Sequence, residues 1–252
     1  MTGYLRDATA EMPIYNTRPA VIVCPGGGYV FCSPREADPV ALRFFAAGYQ
    51  VFTLIYSTGE KARNWQPMID LSRAILHLRE NAERFRLDPE RVAVCGFSAG
   101  GHLTACSALL WNAPAVQKVT PSPKGENRPN AIILGYPVIT AGVYAHTASM
   151  DAIAGNDATL RATFSLENQV TPDAPPMFIW HTVTDESVPV QNSMLLAMAL
   201  QKNKVPHELH LFAEGAHGMS LCTQEVNTPN AHNAHWMGLA LEWLGEQFDF
   251  HI

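Results

Sequence analysis

Arg91-Val-Ala-Val-Cys95-Gly96-Phe97-Ser98-Ala99-Gly100-Gly101 is the stretch on which the reading of this chain turns. A short apolar run breaks at once into a Gly-x-Ser-x-Gly turn, and residues on to Leu110 carry helix-forming composition, so strand, turn and helix meet at Ser98. A serine at such a junction is held in strained backbone geometry with its hydroxyl pointing outward. Glycines at 96 and 100 remove the Cβ atoms that would strike strand and helix. The helix N-terminus also leaves backbone N–H groups free near any developing negative charge. The bland alternative is a glycine-rich turn with a capping serine.

The alternation continues on both sides. Residues 20–24, Ala-Val-Ile-Val-Cys, form an apolar run broken by Pro25-Gly-Gly-Gly28, as expected of a buried parallel strand ending in a glycine loop. A helix over 39–47, closed by Gly48, leads to a strand over 49–56. From Pro67 the residues Met68, Leu71, Ile75, Leu78, Ala82 and Phe85 recur every three or four positions, one face of a helix lying on a sheet, and Asp88-Pro89 marks a turn after it. Beyond the Ser98 helix, 112–129 read as a surface connection. Strands over 131–136, 177–181 and 207–212 and helices over 190–201 and 235–248 complete the series. Residues 140–175 lack firm periodicity and are expected to form a small cap or a pocket wall. The prediction is α/β: one domain over 1–252, a mostly parallel central sheet with helices on both faces, and a small cap or none.

Composition agrees. Of 252 residues, 47% are hydrophobic and only 16% charged, below the usual ~25%, which suits a sheet covered on both faces. A formal net charge of -6 supplies no basic field, so neither nucleic acid nor an anionic membrane is expected as a partner, and a neutral small molecule is. Five cysteines at irregular spacing, without a Cys-x-x-Cys pair, indicate neither a disulfide framework nor a zinc ribbon; Cys24 and Cys95 read as core thiols. Residues 1–16 lack a basic segment followed by an apolar run, and the longest apolar stretches fall far short of the ~18 residues that span a membrane. A cytoplasmic protein is expected, with homo-oligomerisation left open.

A serine hydroxyl needs a histidine base and an acid that orients it. Asp185 follows the strand over 177–181 and His217 follows the strand over 207–212, which brings both to the carboxyl edge of the sheet with Ser98. Glu186 is the competing acid. Among ten histidines, only His217 has the needed order and loop; His102 is expected to pack behind the serine turn, His181 ends a strand, and His232 with His235 could suggest a metal but lack an obvious third ligand. The oxyanion donors expected are the amides of Ala99, directly after the nucleophile, and of Gly27 and Gly28. The full spacing of a dinucleotide or P-loop cradle is absent from the glycine loop.

On these residues the chain resembles the α/β-hydrolases, specifically the small bacterial esterases related to acetyl-xylan esterases and the hormone-sensitive-lipase-like carboxylesterases. The resemblance covers residues 20–248 and rests on Pro25-Gly-Gly-Gly-Tyr29, the run from Asp88 through Gly-Phe-Ser-Ala-Gly-Gly101, Gly135-Tyr-Pro137, Pro175-Pro-Met-Phe-Ile-Trp-His-Thr182, Asp185 with Val188-Pro189, and His217-Gly218. Serine, acid and histidine also come in the family's order. One departure is Pro25, where many relatives have the histidine of His-Gly-Gly. The resemblance implies a serine esterase acting on short acyl groups, acetyl above all, carried by a sugar or xylo-oligosaccharide, with no metal or organic cofactor. A compact pocket lined by Tyr29, Tyr136 and residues from 140–175 is expected. The rivals are an oligopeptidase or amidase with the same triad, disfavoured because 252 residues leave no room for a gating domain, and a binding protein on the same fold, disfavoured because all three candidate residues are present.

Overall fold

Seven strands form the central sheet among residues 1–251, which the computed structural model describes. They are β1 (Thr2–Tyr4), β2 (Arg18–Cys24), β3 (Gln50–Thr53), β4 (Leu87–Phe97), β5 (Ala131–Gly135), β6 (Met177–Thr182) and β7 (His207–Phe212). Their order is β1-β3-β2-β4-β5-β6-β7. All pairs are parallel except β1 with β3. The chain winds outward from β2 to β3 and then crosses to β4 on the other flank of β2. At such a reversal the flanking loops diverge and leave a crevice at the carboxyl ends of the strands.

The strand residues show why both faces are covered. Ala20, Ile22 and Cys24 of β2, Val92 and Val94 of β4, and Ile132 and Leu134 of β5 enter one core. Their alternates Val21, Val23, Ala93, Cys95, Ala131 and Ile133 enter the other. Each strand thus buries both parities, which demands helices on either side. The helices Gln66–Glu80, Ser98–Leu109 and Gln191–Lys202 cover the first core, through residues such as Leu71, Leu103 and Leu196; Asp38–Ala46 and His235–Phe248 cover the second, through Phe44 and Trp236.

Several expected boundaries shift. The helix periodicity from Pro67 through Phe85 is divided between Gln66–Glu80 and a separate turn Ala82–Phe85. Strand β3 is shorter than 49–56, and β5 stops at Gly135 instead of 136. Asp88-Pro89 does not end before the strand but lies inside β4: Arg18 pairs with Leu87 and Ala20 with Val92, so the turn-forming residues are absorbed as an irregularity in the ladder. The antiparallel strand β1 was not expected, since three residues are too short to show a period. No helix among the described residues is long and apolar enough to cross a membrane.

Candidate active site

Strand β4 ends at Phe97 and the next helix begins at Ser98 without an intervening residue. Ser98 has φ of 52°, the left-handed region that is strained by roughly 1–3 kcal/mol for a residue with a Cβ. Its neighbours make this geometry reachable. A Cβ on Gly96 would collide with the Gly100 carbonyl and the Thr104 hydroxyl, and one on Gly100 with the carbonyls of Cys24 and Pro25. A Cβ on Gly26 would lie 2.9 Å from that of Ser98. The glycines therefore let the loop after β2 close directly onto the serine turn.

Two loops bring the partners. His217 Nδ1 lies 2.6 Å from Asp185 Oδ2, and its Nε2 lies 2.8 Å from Ser98 Oγ. A carboxylate only accepts, so Nδ1 carries the proton and Nε2 is free to accept from the serine hydroxyl. The other Asp185 oxygen accepts the amides of Ser187 and Val188, each at 2.9 Å. Burial alone would raise the Asp185 carboxyl, but hydrogen bonds from His181 and His217 outweigh it and hold the group well below the usual carboxylate range. Glu186, next in the chain, is exposed to solvent.

Gly27 and Gly28 follow with φ of 125° and 64°. A Cβ at Gly27 would collide with the Phe31 carbonyl, because the loop folds back so that Val30 N–H donates to the Gly27 carbonyl at 2.9 Å. Among the described residues no protein acceptor takes the Gly27 or Gly28 amide. The Ala99 amide lies in the first turn of the helix Ser98–Leu109, where N–H groups have no intrahelical acceptor. Three unspent donors thus come from the two segments that meet at Ser98.

Comparison with known proteins gives this arrangement a place. Residues 10–200 match the family described as BD-FAE. The chain belongs to the BD-FAE family. A curated relative of this BD-FAE chain is endo-1,4-beta-xylanase B of Butyrivibrio fibrisolvens, 37% identical over 214 residues, which are 82% of this chain and 33% of that protein. The chain spans between 33% and 46% of the length of the first curated relatives it matches. Two solved structures cover it almost completely. One is an acetyl ester-xyloside bifunctional hydrolase from Caldicellulosiruptor lactoaceticus, with 36% identity, a TM-score of 0.85, and coverage of 99% of this chain and 88% of that one. The other is the carboxylesterase Cest-2923 from Lactobacillus plantarum WCFS1, with 32% identity, a TM-score of 0.86, and coverage of 99% and 93%. With the sheet described above, these likenesses make the fold that of the α/β-hydrolases.

Two site residues expected in this BD-FAE chain need correction. The Tyr29 and Tyr136 side chains do not line an open pocket: both are buried. Tyr29, with φ of 63°, turns inward and donates its hydroxyl to His102 Nδ1 at 2.8 Å. His102 Nε2 lies 2.9 Å from the Phe164 carbonyl, which can only accept, so this histidine is a neutral strut behind the serine turn, as its position in the helix suggested. Tyr136 stands against His217, the two rings edge-on with centroids 5.0 Å apart.

Other groups at the site were not anticipated as parts of it. His181 Nε2 lies 3.0 Å from the Val188 carbonyl and 3.3 Å from Asp185 Oδ2, and its Nδ1 accepts from the Ser193 hydroxyl at 2.7 Å; its position four residues before the acid was the available signal. Glu36, buried, accepts from Tyr136 and from the Gly26 amide, and nothing in Ser33-Pro-Arg-Glu36 marks it out. Residues 140–175 form the helices Thr147–Ala154 and Ala158–Thr163 and a short 3-10 turn, Leu166–Asn168. Within them His146 Nδ1 bonds the Ser149 hydroxyl at 2.8 Å, and that hydroxyl lies 3.9 Å from where a Gly28 Cβ would be. Burial holds the His146 imidazole below its ordinary value, and His217 adds to the effect while Asp185 opposes it. Beside His217 opens a cavity of about 510 Å³, lined by Thr184, Glu186, Ser187 and residues 214–217. His232 and His235 lie apart from Ser98, edge to face at the start of the last helix.

Proposed function

We propose that the chain is a serine carboxylesterase that removes short acyl groups, acetyl foremost, from sugars or xylo-oligosaccharides. The observation that carries this is the unbroken line from Asp185 through His217 to Ser98, with hydrogen bonds of 2.6 and 2.8 Å, at a serine onto which the loop after β2 closes, so that a Cβ on Gly26 would lie 2.9 Å from that of Ser98. His217 Nε2 takes the hydroxyl proton as Ser98 Oγ attacks the ester carbonyl. The new C–O bond places negative charge on the carbonyl oxygen, where the amides of Gly27, Gly28 and Ala99 donate to it. The intermediate collapses by breaking the bond to the alcohol, which leaves with the proton from His217. Water repeats the sequence on the acyl-serine, releasing the acid and restoring the serine. Asp185 stays ionised throughout, holding the Nδ1–H tautomer.

The substrate class is supported by the likeness to a hydrolase described as acting on acetyl esters and xylosides, at 36% identity over nearly the whole chain. The test is acetate release from acetylated xylo-oligosaccharides and turnover of p-nitrophenyl acetate by the wild type and by Ser98→Ala. The wild type should process both, and Ser98→Ala should lose about 10⁴-fold or more in kcat. Undiminished turnover by the variant would remove the proposal, and hydrolysis of amides in preference to esters would turn it toward an amidase.

A further inference from the structure

We propose that Glu36 is a positioning residue that holds the oxyanion loop and His217 in one fixed relation to Ser98. The proposal rests on the esterase reading above. Glu36 lies in a turn between β2 and the helix Asp38–Ala46, and both its oxygens are committed to the site's supports. Oε2 accepts the Gly26 amide at 2.8 Å, immediately before the amides of Gly27 and Gly28. Oε1 accepts the Tyr136 hydroxyl at 2.6 Å. That phenol oxygen accepts the Ser220 amide at 2.9 Å, three residues after the base, and the phenol ring is set edge-on to the His217 imidazole.

The backbone beside Glu36 closes the same circuit. The Ser220 hydroxyl donates to the Arg35 carbonyl at 2.5 Å, and the Arg35 guanidinium lies against Gly218, where a Cβ would collide with it. One short turn therefore joins the loops after β2, β5 and β7. These loops carry the oxyanion donors, the wall behind the base and the base itself. Only a residue without a Cβ permits the approach on the first of them, since a Cβ on Gly26 would lie 2.7 Å from Oε2.

The chemistry needs this coupling. In the acylation step negative charge grows at the loop after β2 while positive charge grows on His217, and both must face one tetrahedral carbon. A displacement of either by about 1 Å can lower the rate ~10²-fold. A carboxylate holding two donors in fixed directions meets that need better than solvent, from which Glu36 is nearly excluded, at 2% exposure.

The experiment compares the wild type with Glu36→Ala, Glu36→Gln and Tyr136→Phe. It measures kcat and KM on p-nitrophenyl acetate, thermal midpoints, and affinity for a trifluoromethyl ketone, which forms a tetrahedral adduct on a nucleophilic serine. Glu36→Ala should lower kcat ~10²-fold with KM within about threefold, and should weaken the ketone by the same factor as kcat/KM. Glu36→Gln, whose amide oxygen still accepts from Gly26, should recover about tenfold of that loss, and Tyr136→Phe should lose about tenfold in kcat. A folded Glu36→Ala or Tyr136→Phe with wild-type kcat and ketone affinity overturns the proposal, as does a loss confined to KM or one that disappears on cooling. Should Glu36→Ala not fold, the glutamine and phenylalanine variants decide in the same terms. A wild type that neither hydrolyses the ester nor is labelled by a fluorophosphonate overturns the esterase reading itself; an active wild type with unaffected variants overturns the positioning role alone.

Discussion

On one side of Ser98 the glycine loop, the serine turn and the Glu36–Tyr136 pair meet largely backbone to backbone, with Gly26, Gly96 and Gly100 placed where no Cβ fits. Residues 140–175, by contrast, reach the glycine loop through the side chains of Ser149, whose hydroxyl lies 3.9 Å from where a Gly28 Cβ would be, and of His146, bonded to it. The first wall is fixed by collisions and by hydrogen bonds to main-chain groups, so an added atom disturbs the geometry around Ser98 itself. In the second wall, side chains can be exchanged while the backbone stays. Chemistry should therefore depend on the first wall and selectivity on the second.

Among variants that keep Ser98, the largest expected effect falls on Asp185, the proposed partner of His217. Asp185→Asn keeps size and burial but offers an amide where His217 and His181 need a carboxylate, favouring the wrong tautomer of the base. We expect kcat to fall ~10³–10⁴-fold with KM within a few fold. Steady-state kinetics on p-nitrophenyl acetate check it, and retention of more than a tenth of wild-type kcat would sink the assignment. The comparison can be broken more directly with alanine in place of glycine. Gly100→Ala should destabilise the fold by about 1–3 kcal/mol and depress kcat, because the carbonyls it would strike belong to Cys24, the last residue of β2, and to Pro25, the first of the loop after it. Gly142→Ala, at an exposed position in the segment 140–175, meets only the Thr140 hydroxyl at 3.2 Å and should stay within about 0.5 kcal/mol. Urea unfolding of both variants tests the pair, and equal losses would erase the distinction between the walls.

His102 lies at the seam, bonded to Tyr29 of the first wall and to the Phe164 carbonyl of the second. Burial pushes its imidazole down from 6.5 to about 4, against the pull of that carbonyl. Between those values the unfolded chain binds the proton that the folded chain refuses. Stability is thus complete above about 6.5 and declines as pH drops toward 4, by at most ~1.4 kcal/mol per pH unit from this group. The depressed Asp185 carboxyl acts in a lower window: its contribution begins to fade only near the ordinary carboxylate value of 3.8 and is lost as pH falls through the folded value. Urea midpoints at pH 7, 6, 5 and 4.5 should show a shallower acid slope for His102→Gln than for the wild type. Parallel slopes would mean that His102 is not the group responsible.

The same contrast explains what could be read from the chain before its structure. The fold and the assembly of Ser98, Asp185 and His217 were legible because each residue follows an apolar strand, and parallel strands deliver their following loops to a single edge. Tyr29 and Tyr136 were misplaced because a place in a loop at the carboxyl edge does not fix which way a side chain at positive φ points. With φ of 63° and 36°, both side chains are carried into the interior, where they are buried. Glu36 was invisible because its partners lie ten and a hundred residues away, and no local pattern encodes such a meeting. Residues 140–175 were opaque for another reason. Helices of eight and six residues complete too few turns to show a face, so their contacts come from tertiary packing.

The smallest expected change in activity sharpens the comparison most, since it asks whether the second wall selects substrates. His146 is half-buried, its Nδ1 is held by Ser149, and among the described residues no protein partner takes its Nε2. A single hydrogen bond to an alcohol hydroxyl contributes about 0.5–1.5 kcal/mol, or up to roughly tenfold in kcat/KM. His146→Ala should therefore lower kcat/KM on acetylated xylo-oligosaccharides about three- to tenfold, mostly through KM, while changing p-nitrophenyl acetate, whose leaving group carries no sugar hydroxyl, by less than about twofold. Equal losses on both substrates would place His146 with the catalytic wall. No loss on either would leave selectivity to the cavity beside His217, where Glu186 and Glu214 offer the next acceptors for hydroxyls.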